Sequence, residues 1–164
     1  MMEILMPALL FSFLIGAFCG SRTMPPAAVL CWFAFTGRLH TDGTWFAFLG
    51  QPLPVAIFTT AMLAELLIDK LPITPSRLKA PLLLARLCAG AFTGAVLASA
   101  MLESSHAGML LGASGALIGA LIGYWLRTGI VKKAGWPDYV VALMEDAITI
   151  AGSTAVVAFA TARG

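Results

Sequence analysis

The 164-residue sequence is 60% hydrophobic and only 11% charged, with a formal net charge of +2. Soluble domains carry roughly 45–50% apolar and about 25% charged residues, so a water-soluble core cannot absorb this much apolar surface. The small charge and the absence of any Lys/Arg-rich run exclude a nucleic-acid partner, and the length suits a single domain over residues 1–164.

The composition predicts an all-α, polytopic transmembrane bundle of about five spans. They run approximately from Ile4 to Thr36, Pro54 to Ile68, Pro81 to Leu102, Gly108 to Leu126 and Tyr139 to Ala162. The first is too long for one straight helix: about thirty residues at ~1.5 Å each reach about 50 Å, against a hydrocarbon core of about 30 Å. It also resembles a signal h-region, but Glu3 precedes it and Gly20-Ser21-Arg22 makes a poor cleavage site, so it reads as a helix of the mature protein. The break falls at Gly20-Ser21-Arg22-Thr23-Met24-Pro25-Pro26, where a flexible Gly, hydroxyls and a proline pair interrupt the helix. Either one discontinuous helix crosses with Arg22 near mid-depth, or the chain crosses by Cys19 and Ala27 to Thr36 forms a second, short helix.

Lys70, Arg77 and Lys79 follow the second span, and Arg127, Lys132 and Lys133 follow the fourth. Basic residues near span ends favour the cytoplasm, which places both of these loops inside and the C-terminus outside. The N-terminus is inside if the first run crosses once and outside if it crosses twice. Leu14-Ile15-Gly16-Ala17 with Gly20 and Arg22-Thr23 is echoed by Leu117-Ile118-Gly119-Ala120 with Gly123 and Arg127-Thr128. In a five-span chain the copies run in opposite directions, the mark of a possible inverted repeat.

Small residues define faces. Gly108, Gly112, Gly115, Gly119 and Gly123 line one side of the fourth span, and Gly16/Gly20 and Gly90/Gly94 repeat the small-xxx-small spacing of close helix contacts. Packing within one chain is the preferred use of these faces, and a homo-oligomer the functional alternative. Trp32, Trp45, Trp125, Trp136 and Tyr139 fall near predicted boundaries as interfacial anchors. Cys19, Cys31 and Cys88 lie in apolar stretches without ligand spacing and read as small buried hydrophobes. No cofactor is expected.

Charges inside spans need a partner, water or a task. Glu65 and Asp69 share one face at the inner end of the second span, Arg86 enters the third, and Arg127 ends the fourth at the same level. Glu145 and Asp146 stand about two turns inside the fifth, with Thr149 and Ser153 continuing the Asp146 face. The candidate ion- or substrate-binding residues are therefore Arg22, Glu65, Asp69, Arg86, Glu145 and Asp146. Carboxylates suit a hard cation or proton and arginines an anion, so the expected function is a small transporter or channel for an ion or small polar solute. Two alternatives stand beside it: an enzyme acting on a phosphate-bearing lipid, with Arg22 and Arg86 on the phosphate, and a structural scaffold held by a charge network. Ser21-Arg22-Thr23 with Glu65 and Leu71-Pro72-Ile73-Thr74-Pro75-Ser76 faintly resembles membrane lipid-pyrophosphate phosphatases, which need a longer chain and a fuller motif.

Gly20-x-Arg22 with its following prolines, Ala64-Glu65-Leu66-Leu67-Ile68-Asp69-Lys70-Leu71-Pro72, Arg86 ahead of Ala89-Gly90-Ala91, and Glu145-Asp146 together carry a family likeness. The chain resembles, over nearly its whole length, a bacterial membrane family catalogued as domain of unknown function 4126. The resemblance implies a small integral membrane protein and carries no activity with it.

Overall fold

The interruption expected near Arg22 divides the first apolar run into two helices. In the computed structural model, which describes residues 2–69, 80–134 and 137–162, α1 (Met2–Ser21) stops before Arg22 and α2 (Met24–Phe35) begins after Thr23. Pro25 and Pro26 lie in the first turn of α2, where their missing N–H groups cost no intrahelical bond. A short 3-10 helix, Ala47–Gly50, leads into α3 (Pro52–Ile68), and α4 (Ala80–Ala100), α5 (Ser105–Ala134) and α6 (Asp138–Thr161) complete an all-α fold with no strand among the described residues. Lys70, Arg77, Lys79 and Trp136 lie outside the described residues, as do the side chains of Lys132 and Lys133.

The chain reverses at the break. Trp32 Nε1 donates to Thr59 Oγ1 at 3.1 Å, while the start of α2 meets Glu65 near the end of α3, so α2 and α3 are antiparallel. Ser12 Oγ donates to the Gly94 carbonyl at 3.1 Å, and Arg86 reaches the carbonyls of Gly20 and Ser21, so α1 and α4 are antiparallel as well. The Phe92 ring of α4 stacks on Phe58 of α3 with centroids 6.1 Å apart, which puts the bodies of α1, α2, α3 and α4 on one side of the break. α2 is the separate short helix of the second arrangement open from sequence, and it returns along α3 instead of continuing α1.

Packing of α1, α4 and α5 relies on missing side chains. A Cβ on Gly16 would run into the Gly112 carbonyl, one on Gly94 into that of Gly108, and one on Gly119 into that of Ala17. The glycine faces therefore serve close packing inside one chain, as small residues do where lipid offers no hydrophobic drive for helix association. The numbering of these contacts, Gly16 to Gly112 and Gly20 to Ala116, rises together. Helices α1 and α5 are thus parallel, which corrects the inverted repeat: its two copies run in the same direction because α2 adds a reversal that a five-span count omits.

The apolar core joins Ala8, Phe11 and Ile15 of α1 to Leu30 of α2, Leu97 of α4 and Val157 of α6. Leu10, Leu53, Leu84, Leu110, Ile148 and Phe159 lie exposed on the outside, whereas Arg22, Arg86 and Asp146 are buried. A water-soluble protein sorts its residues the other way. Three helices, Ala80–Ala100, Ser105–Val131 and Asp138–Thr161, are long and apolar enough to cross a membrane, and Pro7–Ser21, Met24–Phe35 and Pro52–Ile68 are shorter apolar helices. Cys19 and Cys31 are buried as expected, but Cys88 is exposed and belongs to the apolar outer surface.

Candidate functional site

Interrupting a helix away from water frees backbone groups that need partners. At the end of α1, Arg86 Nη1 donates to the Ser21 carbonyl at 2.7 Å and also to the Gly20 carbonyl. At the start of α2, the Glu65 carboxylate accepts the backbone N–H of Thr23 at 2.8 Å and of Met24 at 2.7 Å. A cation thus closes a helix C-terminus and an anion a helix N-terminus, each matching the sign of the helix dipole. Both come from other helices.

With the backbone satisfied by those two residues, Arg22 has its side chain for another purpose. It is 0% exposed. Its Nη2 lies 2.7 Å from Asp146 Oδ1, and its Nη1 pairs with Asp69 Oδ2. Asp69 caps the end of α3 and Asp146 sits within α6, so one guanidinium at the α1/α2 reversal ties together two carboxylates that the fold otherwise leaves on separate helices. Asp69 is the more accessible of the two, at 15% exposure against 8% for Asp146.

The Asp146 face continues into the bundle through Thr149 and Ser153, 1% and 0% exposed. Their hydroxyls have no hydrogen-bond partner among the described residues, whereas Ser12, Thr93 and Ser99 bond carbonyls of their own helices. A buried hydroxyl without a partner costs about 1–3 kcal/mol, and two of them beside Asp146 make a polar stripe that packing does not require.

Glu145 belongs to a neighbouring arrangement. Its Oε1 accepts from Ser21 Oγ at 2.6 Å, and its Oε2 lies 3.8 Å from Arg127 Nη1. Arg127 is held chiefly by Asp138, through Nε at 2.8 Å and Nη2 at 2.6 Å. Ser21, Arg127 and Glu145 line a cavity of about 280 Å³ between α1, α5 and α6, whose remaining wall includes Phe18, Ile122, Leu126, Met144 and Ile148. Arg127 and Glu145 lie about two turns from the facing ends of α5 and α6, roughly 10 Å along the helix axis.

All six residues singled out from sequence therefore converge at the α1/α2 reversal, though in different roles. Glu65 and Arg86 close helix ends, Asp69 and Asp146 share Arg22, and Glu145 turns toward the cavity. Sequence reasoning missed Asp138, whose place just after Pro137 in the first turn of a helix was the available signal, and the contact of Ser21 with Glu145, which no spacing announces. No group of three or more metal-ligating side chains forms among the described residues.

Neither a curated protein nor a solved structure matches the chain. A family model does, over residues 9–163, and its description is Domain of unknown function (DUF4126). The match takes in every residue of the Arg22 centre and of the cavity, and the chain belongs to that family.

Proposed function

We propose that the protein is a small membrane transporter or channel for an ion or small polar solute, with Arg22, Asp69 and Asp146 as its working centre. The observation that carries this reading is the fully buried Arg22 between two carboxylates from different helices. Ionisable groups at such depth are expensive in a membrane and mark ion or proton pathways. Backbone capping at the break does not need them, since Glu65 and Arg86 already perform it. Protonation of the more accessible Asp69, or arrival of a cation there, would loosen one side of Arg22 while Asp146 keeps the other. A two-sided pairing of this kind is an element that a substrate can bias.

In this reading the chain lies in the bacterial cytoplasmic membrane, and the reversal at Arg22 makes six passes of unequal length. An even number puts both termini outside and the reversal toward the cytoplasm, the side that basic residues near span ends favour. A homo-oligomer forms no part of the proposal, because the glycine faces that would have supported one are filled by the chain's own helices.

A structural role is favoured for Glu65 and Arg86 specifically, since both act on backbone groups of the break. The lipid-phosphate reading loses its main support, because the guanidiniums it would use face Asp69 and Asp146 in one case and backbone carbonyls in the other. Reconstituted liposomes test the proposal: Asp69→Asn and Asp146→Asn should each abolish flux of the transported species while the protein keeps its helix content. Folded variants that retain full flux, or a wild type with no flux over protons, alkali cations, halides and small polar solutes, would overturn it.

A further inference from the structure

The polar face of α6 does not stop at its carboxylates. Asp146, Thr149 and Ser153 follow one another at helical spacing, and all three are buried. A serine or threonine inside a helix can satisfy its hydroxyl on the carbonyl one turn back, and Thr154, beside Ser153 on the same helix, does so on Ile150 at 2.7 Å. Thr149 and Ser153 do not, and neither hydroxyl has another partner among the described residues.

Thr149 comes three residues after Asp146 and Ser153 four after Thr149, rises of about 4.5 Å and about 6 Å along the helix axis. One hydrogen bond of about 2.8 Å is too short for either interval and two in series come close to both, so a water between each pair of groups completes the row. Thr149 also lies in the wall of the cavity that Ser21, Arg127 and Glu145 line. At about 280 Å³ that cavity is several times the ~30 Å³ a water occupies in the liquid, and it can supply the row.

We infer that Thr149 and Ser153 hold a short file of water against Asp146, along which a proton reaches that carboxylate. Spacing and charge select the ligand. A metal cation needs its oxygens about 2.3–2.6 Å from a common point, whereas this row extends over roughly 10 Å, and the Arg22 guanidinium on Asp146 repels one. A proton needs no such shell. Each hydroxyl donates one hydrogen bond while accepting another, so a proton added to the file is handed from oxygen to oxygen, and the last water gives one to Asp146. Every hydroxyl and water then holds the hydrogens it began with, and the added proton sits on the carboxylate. Neutral Asp146 loosens its hold on Arg22, which keeps Asp69. The charged groups around Asp146 are Arg22 at the break, Asp69 of α3 beyond it, and Arg127 of α5 with Glu145 of α6 at the cavity. The inference rests on the proposed transport function and names the proton as its ion, with Asp69 and Asp146 taking turns on Arg22.

Solid-state NMR of the full chain in liposomes, with isotope-labelled threonine and serine, reads the file as magnetisation passed from water to each side chain. Thr149 and Ser153 should receive it faster than Thr93 and Ser12, which are equally buried but bonded to carbonyls. Proton flux into dye-loaded liposomes should fall about tenfold or more in Thr149→Val and in Ser153→Ala, each of which removes one hydrogen-bonding link from the file. The wild-type NMR comparison decides the matter even if neither variant folds. Transfer to Thr149 and Ser153 as slow as to Thr93 and Ser12 would overturn the inference, as would proton flux that both folded variants leave intact. Flux of another ion that depends on Asp69 and Asp146, with both hydroxyls dry, sinks the file alone. Wet hydroxyls without flux of any ion leave the file standing and remove transport.

Discussion

Replacing Arg22 by Met is the sharpest probe of the buried centre. Met keeps much of the length and apolar stem of the side chain but removes the guanidinium, leaving Asp69 and Asp146 facing each other without the charge that joins them. Removing one partner of a buried pair costs about 3–5 kcal/mol, most of it the penalty for an uncompensated buried charge. Asp69 is 15% exposed and can gain water, whereas Asp146, 8% exposed, has less access to it. We therefore expect Arg22→Met to fall within that range, with Asp146 as the main source. Asp146→Leu in the same background removes the less accessible carboxylate and should restore more than half of the loss. Asp146→Leu alone leaves Arg22 with Asp69 and should be milder than Arg22→Met. SDS titration of detergent-solubilised protein, followed by circular dichroism, reads all four corners of this cycle. A coupling energy below about 0.5 kcal/mol, the level at which independent sites add, would refute the pairing of Arg22 with Asp146.

Further outcomes follow from the glycine seam, from the Glu65 cap and from the exposed Arg127–Asp138 pair. Gly112→Ala should destabilise by about 1–3 kcal/mol or more, because its Cβ would strike the Gly90 carbonyl where α4 meets α5; Gly129→Ala on the same helix, with nothing within 4 Å of the new atom, should be neutral or gain up to about 1 kcal/mol of helix propensity, and the same titration compares them. Glu65→Gln leaves one amide oxygen where two carboxylate oxygens took the N–H groups of Thr23 and Met24, at an expected cost of about 1–3 kcal/mol. Asp138→Asn, at a carboxylate 61% exposed, should cost no more than about 1 kcal/mol, and a larger loss there than at Glu65 would contradict the division of roles.

Much of this organisation was legible in the sequence because a membrane makes polar residues conspicuous. Arg22, Glu65, Asp69, Arg86, Glu145 and Asp146 stand out in a chain that is 60% hydrophobic, and the proline pair marks the break directly. Direction was not legible. Whether α2 continues α1 or doubles back depends on backbone angles at Arg22 and Thr23, and hydropathy is blind to them; the inverted repeat failed for that reason. Pairing was also hidden. Helical spacing places Glu65 and Asp69 on one face, yet Glu65 bonds amides and Asp69 bonds Arg22, a division set by where α2 begins relative to the end of α3.

The reversal explains why so many charges gather at one level. A chain that turns back between α1 and α2 exposes carbonyls and amides together, and in an apolar surrounding each must be met from another helix. Arg86 from α4 and Glu65 from α3 meet them, so stable packing of α1 to α4 already demands one cation and one anion there. Helix α6 brings Asp146 to Arg22 and Glu145 to Ser21, a second pair of contacts to the same turn. Had Arg22 been apolar, Asp69 at the end of α3 and Asp146 in α6 would need no partner inside the bundle and could be apolar too. The Arg22 triad is thus an addition to a turn whose freed backbone groups are met by Glu65 and Arg86, and that surplus is what the proposed function draws on.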